Sequence, residues 1–345
     1  MRIEITAMAA PTAGAAAFVL VVLLVPVIMR LCRRWRLFDS PGPLKIHAQP
    51  VPRLGGVAIA LALFAAPLLC GRVSIESGWP YFAGLALIWI GGLVDDVRGL
   101  SPVIRLASQI AAGALVWRGG WHLPLFGDGA LDLAATCLFV GVFANAFNFL
   151  DGSDGLASGV AGIIAAAYVA LPAGSPFGHA VAWSLAGACA AFLIFNFPGA
   201  KLFMGDSGST ALGFTIAFLG INLYRSVGAA GPSLLFPLWV AALPLLDAIL
   251  AVIRRLLGRA SIFYGDRKQI YDLMLARGWS ARRVAFACYG ITAGLAVVGW
   301  MAVRTGSARF YLFSAPILAA LVLAAIRLGS LEAGQREARI EQMET

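Results

Sequence analysis

Apolar runs of about 17–22 residues recur along the whole chain, and no other feature limits its possible folds so strongly. Inside hydrocarbon every backbone N–H and C=O needs an internal partner, so spanning chains are helices or closed barrels. A barrel would show segments of about ten residues with alternating polarity, whereas these runs are continuous. The sequence therefore predicts an all-α integral membrane protein. Eleven spans fit, at roughly 11–30, 55–72, 80–95, 103–118, 131–148, 156–172, 179–196, 208–224, 233–253, 284–304 and 310–327. Arg304 and Arg309, with Gly306 between them, argue that the last two are separate. Residues 1–345 read as one polytopic domain, with 328–345 as a tail. Only 12% of residues are charged, about half the share in a soluble domain.

Charge then orients the spans. The loops fall into two alternating sets, and one set carries 20 of the 26 Lys and Arg. Cytoplasmic loops collect these residues, which places the N-terminus outside and the C-terminus inside. The net charge of +9 is accounted for by such loops meeting anionic lipid or a phosphorylated substrate, so no nucleic acid is implied. The five cysteines, Cys32, Cys70, Cys137, Cys189 and Cys288, have neither zinc spacing nor a disulfide framework, and read as small buried apolar residues. No basic stretch followed by a small-residue cleavage site precedes the first run, so that span is expected to be retained.

With this orientation the polar chemistry becomes one-sided. Asp95, Asp96, Asn148, Asp151, Asp154, Asn196 and Asp206 all fall at cytoplasmic span ends, as do Lys45, His47 and Arg53. A transport pathway would more naturally put its ionisable groups near the midplane. The centre of the pattern is Asn145–Gly159, NAFNFLDGSDGLASG, where Asp151 and Asp154 stand between apolar runs with glycines that permit close backbone approach. Acids at the mouth of a membrane segment are costly unless something binds them; a cation, or a phosphorylated ligand carried on one, would answer. A self-capped polar turn is the plainer alternative.

In GLVDDVRGLSP, Asp95 and Asp96 end a helix against the negative pole of its dipole. A metal, Arg98 or Arg105 could answer them, and repulsion between the two could raise one pKa enough to suit a proton acceptor. In NFPGAKLFMGDSGST, Asp206 leads into a helix N-terminus, where free N–H groups favour anions; Asp206 could hold a metal there, or simply cap the helix. Phe203 could stack on a planar ring. In LKIHAQPVPRLGG, Lys45, His47 and Arg53 suit phosphate oxygens or lipid headgroups. Arg267 and Lys268 sit in the largest cytoplasmic segment, which would equally suit a basic interfacial helix. Asp247 lies within the ninth span, as a functional acid or a buried, hydrogen-bonded one.

Taken together these motifs resemble the polyprenyl-phosphate N-acetylhexosamine-1-phosphate transferases, the membrane family that includes phospho-N-acetylmuramoyl-pentapeptide transferase. PxPRLGG, GLVDDVRGLSP, NAFNFLDGSDGLASG and NFPGAKLFMGDSGST occur in the family's order across about residues 44–280. The wording NAFNFLDGSDG is closer to the branch that uses UDP-N-acetylglucosamine. The resemblance implies transfer of a sugar 1-phosphate from a UDP-sugar to polyprenyl (undecaprenyl) phosphate, with release of UMP, at the cytoplasmic face of the inner membrane. It implies Mg2+ or Mn2+ on Asp206 with Asp96 near it. Asp95 and Asp96 would handle the lipid phosphate. Asn148, Asp151, Asp154 and Asn196 would shape the nucleotide and diphosphate site, with Phe203 on uracil. Lys45 and His47 would bind phosphate; beside this, Arg53 reads as a phosphate contact and Arg267 as one to phosphate or sugar. It leaves a homodimer open.

One stretch departs from the family. A His-rich HxHH motif is expected after Asp266–Arg267, and this chain reads Gln269-Ile270-Tyr271-Asp272. The chemistry remains expected, but the sugar is left open, and an altered paralogue, a scaffold or a lipid transporter stays as a rival reading.

Overall fold

The computed structural model describes residues 2–39, 49–70, 74–123, 125–127, 129–171, 174–227, 231–259, 261 and 268–330, with side chains from residue 10. Lys45, His47 and Arg267 lie outside the described residues. The helices are α1 (Arg2–Trp35), α2 (Gly55–Leu69), α3 (Ile75–Arg98), α4 (Pro102–Arg118), α5 (Gly129–Leu150), α6 (Leu156–Ala170), α7 (Pro176–Asn196), α8 (Asp206–Val227), α9 (Phe236–Val240), α10 (Ala242–Leu257), α11 (Ile270–Ala276), α12 (Ala281–Thr305) and α13 (Arg309–Arg327). One small non-helical element joins them: β1 (Phe38–Asp39) pairs antiparallel with β2 (Val51–Pro52), Phe38 opposite Pro52.

By length and apolarity alone, six helices could cross a membrane: α1, α3, α5, α7, α12 and α13. Helices α2 and α6 are shorter but apolar. Helix α8 is central. Every residue from Ser207 to Tyr224 is buried, with α2, α3, α5, α6 and α7 packed around it. A helix enclosed by other helices has no lipid-facing surface, so it can carry Ser, Thr and Asn without the hydropathy of an outer span. Close crossing needs small residues. A Cβ at Gly56 of α2 would run into the backbone of Gly208 of α8, so these two helices touch main chain to main chain.

Two differences from the sequence expectation have local causes. The third helix begins at Ile75 rather than near 80, because Ser74 caps it by accepting the Ser77 N–H at 3.1 Å. The ninth span is broken: a 3-10 turn at Pro232–Leu234 leads into α9, which ends at Val240 before α10 begins. Pro244 lacks an N–H and its ring crowds the carbonyl four residues earlier, that of Val240, which is where the helix stops. The expected separation of the last two spans is present, with α12 closed by Gly306 in the left-handed region (φ 66°).

Candidate active site

Backbone hydrogen bonds assemble the site from loops far apart in sequence. The N–H groups of Gly55 and Gly56 donate to the carbonyls of Phe203 and Met204 at 2.9 and 2.8 Å, and Phe203 N–H donates to Pro52 at 2.9 Å. The LGG turn is thereby stitched to the FMGD turn. Gly205 then takes φ +77°, where a Cβ would also press on the Asp96 carboxylate, and α8 begins. Asp96 lies at the end of α3 and is buried. Its two oxygens accept the N–H groups of Asp206 (2.8 Å) and Ser207 (3.0 Å). It thus does the work of an N-cap residue supplied by another helix.

Asp95 turns the other way. One oxygen accepts the Leu100 N–H and the other faces Arg105 Nη1 at 3.1 Å. The same nitrogen is 3.1 Å from Asp206 Oδ2, so one guanidinium joins Asp95 to Asp206. Of the two arginines near these acids in sequence, Arg105 takes this place and Arg98 stays exposed. Asn148 hydrogen-bonds the Asp206 carboxylate, and its Nδ2 donates to Ser209 Oγ at 3.2 Å. A turn deeper, Asn145 Nδ2 donates to Gln109 Oε1 at 2.6 Å. That polar pair fixes α4 to α5 below the carboxylates.

The acids crowd one another. Asp151, just past the end of α5, has its pKa raised well above the ordinary carboxylate range, by burial first and then by the charges of Asp206, Asp96 and Asp154. Asp206, ahead of the apolar stretch 208–224, is pushed up to about 7 by burial, by its hydrogen bond with Asp95 and by the charges of Asp96 and Asp95. About a third of its side chain is open to solvent, through the cavity it lines. A cluster in this condition favours a cation.

Among the described residues, no three His, Cys, Asp or Glu side chains converge at metal-ligand spacing. Mg2+ needs fewer, since it commonly takes one or two carboxylates and completes its shell with water and substrate phosphate. Asp95 and Asp206 supply hard oxygen ligands, and a guanidinium nitrogen already stands between them. These residues fit such an ion. Both oxygens of Asp96 serve the backbone of α8, as one oxygen of Asp95 serves Leu100.

The cluster closes one end of a cavity of about 1250 Å³ between α4, α5 and α10. At that end Arg105, Asn148, Asp151 and Asp206 line it; further along, the walls are Leu106, Ile110, Leu138, Val142, Ile249 and Val252. Gln269, Tyr271 and Asp272, the stretch that stands where HxHH was expected, face the same cavity. Tyr271 Oη donates to the Phe149 carbonyl at 3.3 Å. Arg255 also lines the cavity, a buried residue that the sequence hid as half of an ordinary basic pair after an apolar span.

Other predicted residues hold the frame. Asp154 accepts the N–H groups of Gly199 and Ala200 at 3.0 and 3.1 Å. Buried Asn196 accepts from Gly155 N–H at 3.0 Å and donates to the Leu202 carbonyl at 2.9 Å. The Phe203 and Arg53 side chains do not line the cavity, though the charge of Arg53 acts favourably on Asp96. Asp247 accepts the Ile270 N–H at 2.8 Å and so anchors α11.

Known proteins resemble this chain over most of its length. The pattern of glycosyl transferase family 4 matches residues 79–224. Decaprenyl-phosphate N-acetylglucosaminephosphotransferase of Mycobacterium leprae is 33% identical, over 75% of this chain and 75% of its own. Undecaprenyl-phosphate alpha-N-acetylglucosaminyl 1-phosphate transferase of Escherichia coli K12 is 30% identical over 77% and 76%. Phospho-N-acetylmuramoyl-pentapeptide-transferase of a Synechococcus strain is 32% identical over 81% and 86%. With motifs, helical architecture and relatives in agreement, the chain belongs to glycosyl transferase family 4, the polyprenyl-phosphate N-acetylhexosamine-1-phosphate transferases.

Proposed function

We propose that this chain transfers N-acetylglucosamine 1-phosphate from UDP-N-acetylglucosamine to a polyprenyl phosphate, releasing UMP, as a first membrane step in cell-envelope glycan synthesis. The observation that carries the reading is a single cavity, apolar along most of its length, that ends on Asn148, Asp151 and Asp206. That shape suits a long prenyl tail whose phosphate meets a sugar nucleotide at the acidic end. The names of the relatives supply the sugar. The sequence supplies the orientation: eleven spans, N-terminus outside, and the site at the cytoplasmic face of the inner membrane.

The difficulty of the reaction is electrostatic. An anionic lipid phosphate has to approach an anionic diphosphate, and two like charges about 4 Å apart repel by roughly 4 kcal/mol at an effective dielectric of 20. When bound, Mg2+ supplies charge neutralisation at the diphosphate; Asp206 and Asp95 would hold it. Asn148 orients the Asp206 carboxylate. Arg105, giving up its place between the two acids to the ion, would keep positive charge where the phosphates meet. The lipid phosphate attacks the sugar-bearing phosphorus in line, and UMP leaves. Phosphoryl transfer asks the protein for positioning and charge stabilisation more than for covalent chemistry, so no aspartyl intermediate is needed.

The test is a donor panel. Purified protein, polyprenyl phosphate and Mg2+ are incubated with several UDP-N-acetylhexosamines, and UMP is scored. UDP-N-acetylglucosamine should be turned over. Release of UMP with none of them would overturn the reading and favour a scaffold or transporter.

A further inference from the structure

Beside Asp206, where α3, α4, α5 and α8 meet, lies a second and much smaller compartment of about 20 Å³, walled by Gly91, Gln109, Asn145 and Asp206 among others. One water needs about 10–15 Å³, so the space admits a single molecule. Two hydrogen bonds decide which way its amides face. Asn145 Nδ2 donates to the Gly141 carbonyl at 2.8 Å and to Gln109 Oε1 at 2.6 Å. A carbonyl only accepts, so the Asn145 atom at Gly141 must be nitrogen, and the Gln109 atom that meets this nitrogen must be oxygen. Gln109 Nε2 is thereby turned away from Asn145. Gln109 is only 4% exposed, and its Nε2 has no hydrogen-bond partner among the described residues. A buried donor left in that condition is costly. The hydroxyls lining the same space are already committed: Ser108 Oγ donates to the Arg105 carbonyl at 2.7 Å and Thr210 Oγ1 to the Asp206 carbonyl at 2.6 Å.

We infer that this compartment binds one water molecule, and that Gln109 is a positioning residue that holds the Asp206 carboxylate through it. The water accepts from Gln109 Nε2 and donates to Asn145 Oδ1 and to the Asp206 carboxylate, the three bonds usual for a buried water. Arg105, at 3.1 Å, and Asn148 already restrain that carboxylate; the water adds a restraint from the inner wall. The inference rests on Asp206 holding the ion, as proposed above. Hydrogen-bond partners of a ligating carboxylate change metal affinity by about 10–100-fold. Gly91 makes the room. A Cβ there would meet only Ser108, with Oγ at 3.2 Å, so alanine fits after a small shift and takes up the space.

The experiment reads the water and the ion, not turnover. Structures that resolve ordered water, and calorimetric affinities for Mg2+ alone, are obtained for the full-length native chain, Gln109→Met and Gly91→Ala. The native chain should show a water within hydrogen-bond reach of both Gln109 Nε2 and the Asp206 carboxylate. Both variants should lose it and bind Mg2+ roughly 10-fold more weakly. Gly91→Ala removes no polar group and brings in a better helix former, so its loss would not trace to a weakened helix, and it decides the matter if the methionine variant does not fold. A native compartment without water, water retained in both variants, or water lost with Mg2+ affinity unchanged each overturns the inference and leaves the transferase reading intact. No Mg2+ binding by the native chain instead overturns the ion-holding role of Asp206, and the inference with it.

Discussion

Replacing Arg105 with methionine tests whether the acids are held in check by that one guanidinium. Its Nη1 lies 3.1 Å from both Asp95 and Asp206. Breaking a fully buried ion pair costs about 3–5 kcal/mol, and an exposed pair contributes at most about 1 kcal/mol. Arg105 is 37% and Asp206 34% exposed, so a loss of about 1–2 kcal/mol is expected between those limits. The loss should depend on pH. Asp206 titrates at about 7 in the folded protein, against about 3.9 in an unfolded chain. A raised carboxylate pKa means that ionisation costs the folded state stability as pH climbs from the unfolded value to the folded one. Below about 6 a proton already neutralises Asp206, and Arg105 keeps only its contact with Asp95. Above about 8 the carboxylate is charged and the arginine matters. Thermal unfolding of the native chain and Arg105→Met at pH 5.5 and 8.5, each with and without Mg2+, is the assay. The variant should lose most at pH 8.5 without Mg2+, and Mg2+ should narrow the gap. Equal losses at both pH values, or a gap indifferent to Mg2+, would refute the reasoning.

Three further outcomes separate chemistry from framework. Asp206→Asn should lower UMP release by at least about 100-fold, as loss of a principal electrostatic group does, while leaving farnesyl phosphate binding within a few-fold; undiminished release would end its assignment as the metal-holding acid. Asp96→Asn replaces a carboxylate that accepts two backbone N–H groups with an amide whose NH2 must face one of them. It should cost about 1–2 kcal/mol in unfolding, with Mg2+ affinity unchanged; the reverse pattern, intact stability and weakened Mg2+ binding, would return Asp96 to the metal. Asn196→Ala strands the Gly155 N–H and the Leu202 carbonyl and should cost about 2–4 kcal/mol. If UMP release falls while unfolding is untouched, Asn196 contacts substrate instead of tying the two turns together.

Most of what the sequence shows plainly here is local, and most of what it conceals depends on neighbours. The helices were legible because membrane insertion forces long apolar runs, and the break after Thr305 because Gly306 marks it. The fracture at Val240 was legible in principle from Pro244, but a ninth run of continuous hydropathy outweighed a single proline. Burial of α8 could not be read at all, since enclosure by five helices leaves no imprint on its own periodicity. The same distinction runs through the site. A row of acids at span ends announces a polar centre. It does not say that Asp95 would turn toward Arg105 while Asp96, one residue on and 100° around the helix, would turn into the backbone of α8. Arg254 and Arg255 look interchangeable in sequence, yet Arg254 donates to the Ser330 carbonyl at 2.8 Å while Arg255 lines the cavity beside Asp151 and Asp206. Adjacent identical residues on a helix necessarily face different surroundings. The motifs therefore mark where chemistry gathers, and the rotation of each helix against its neighbours decides which member of a pair meets substrate and which holds the protein together.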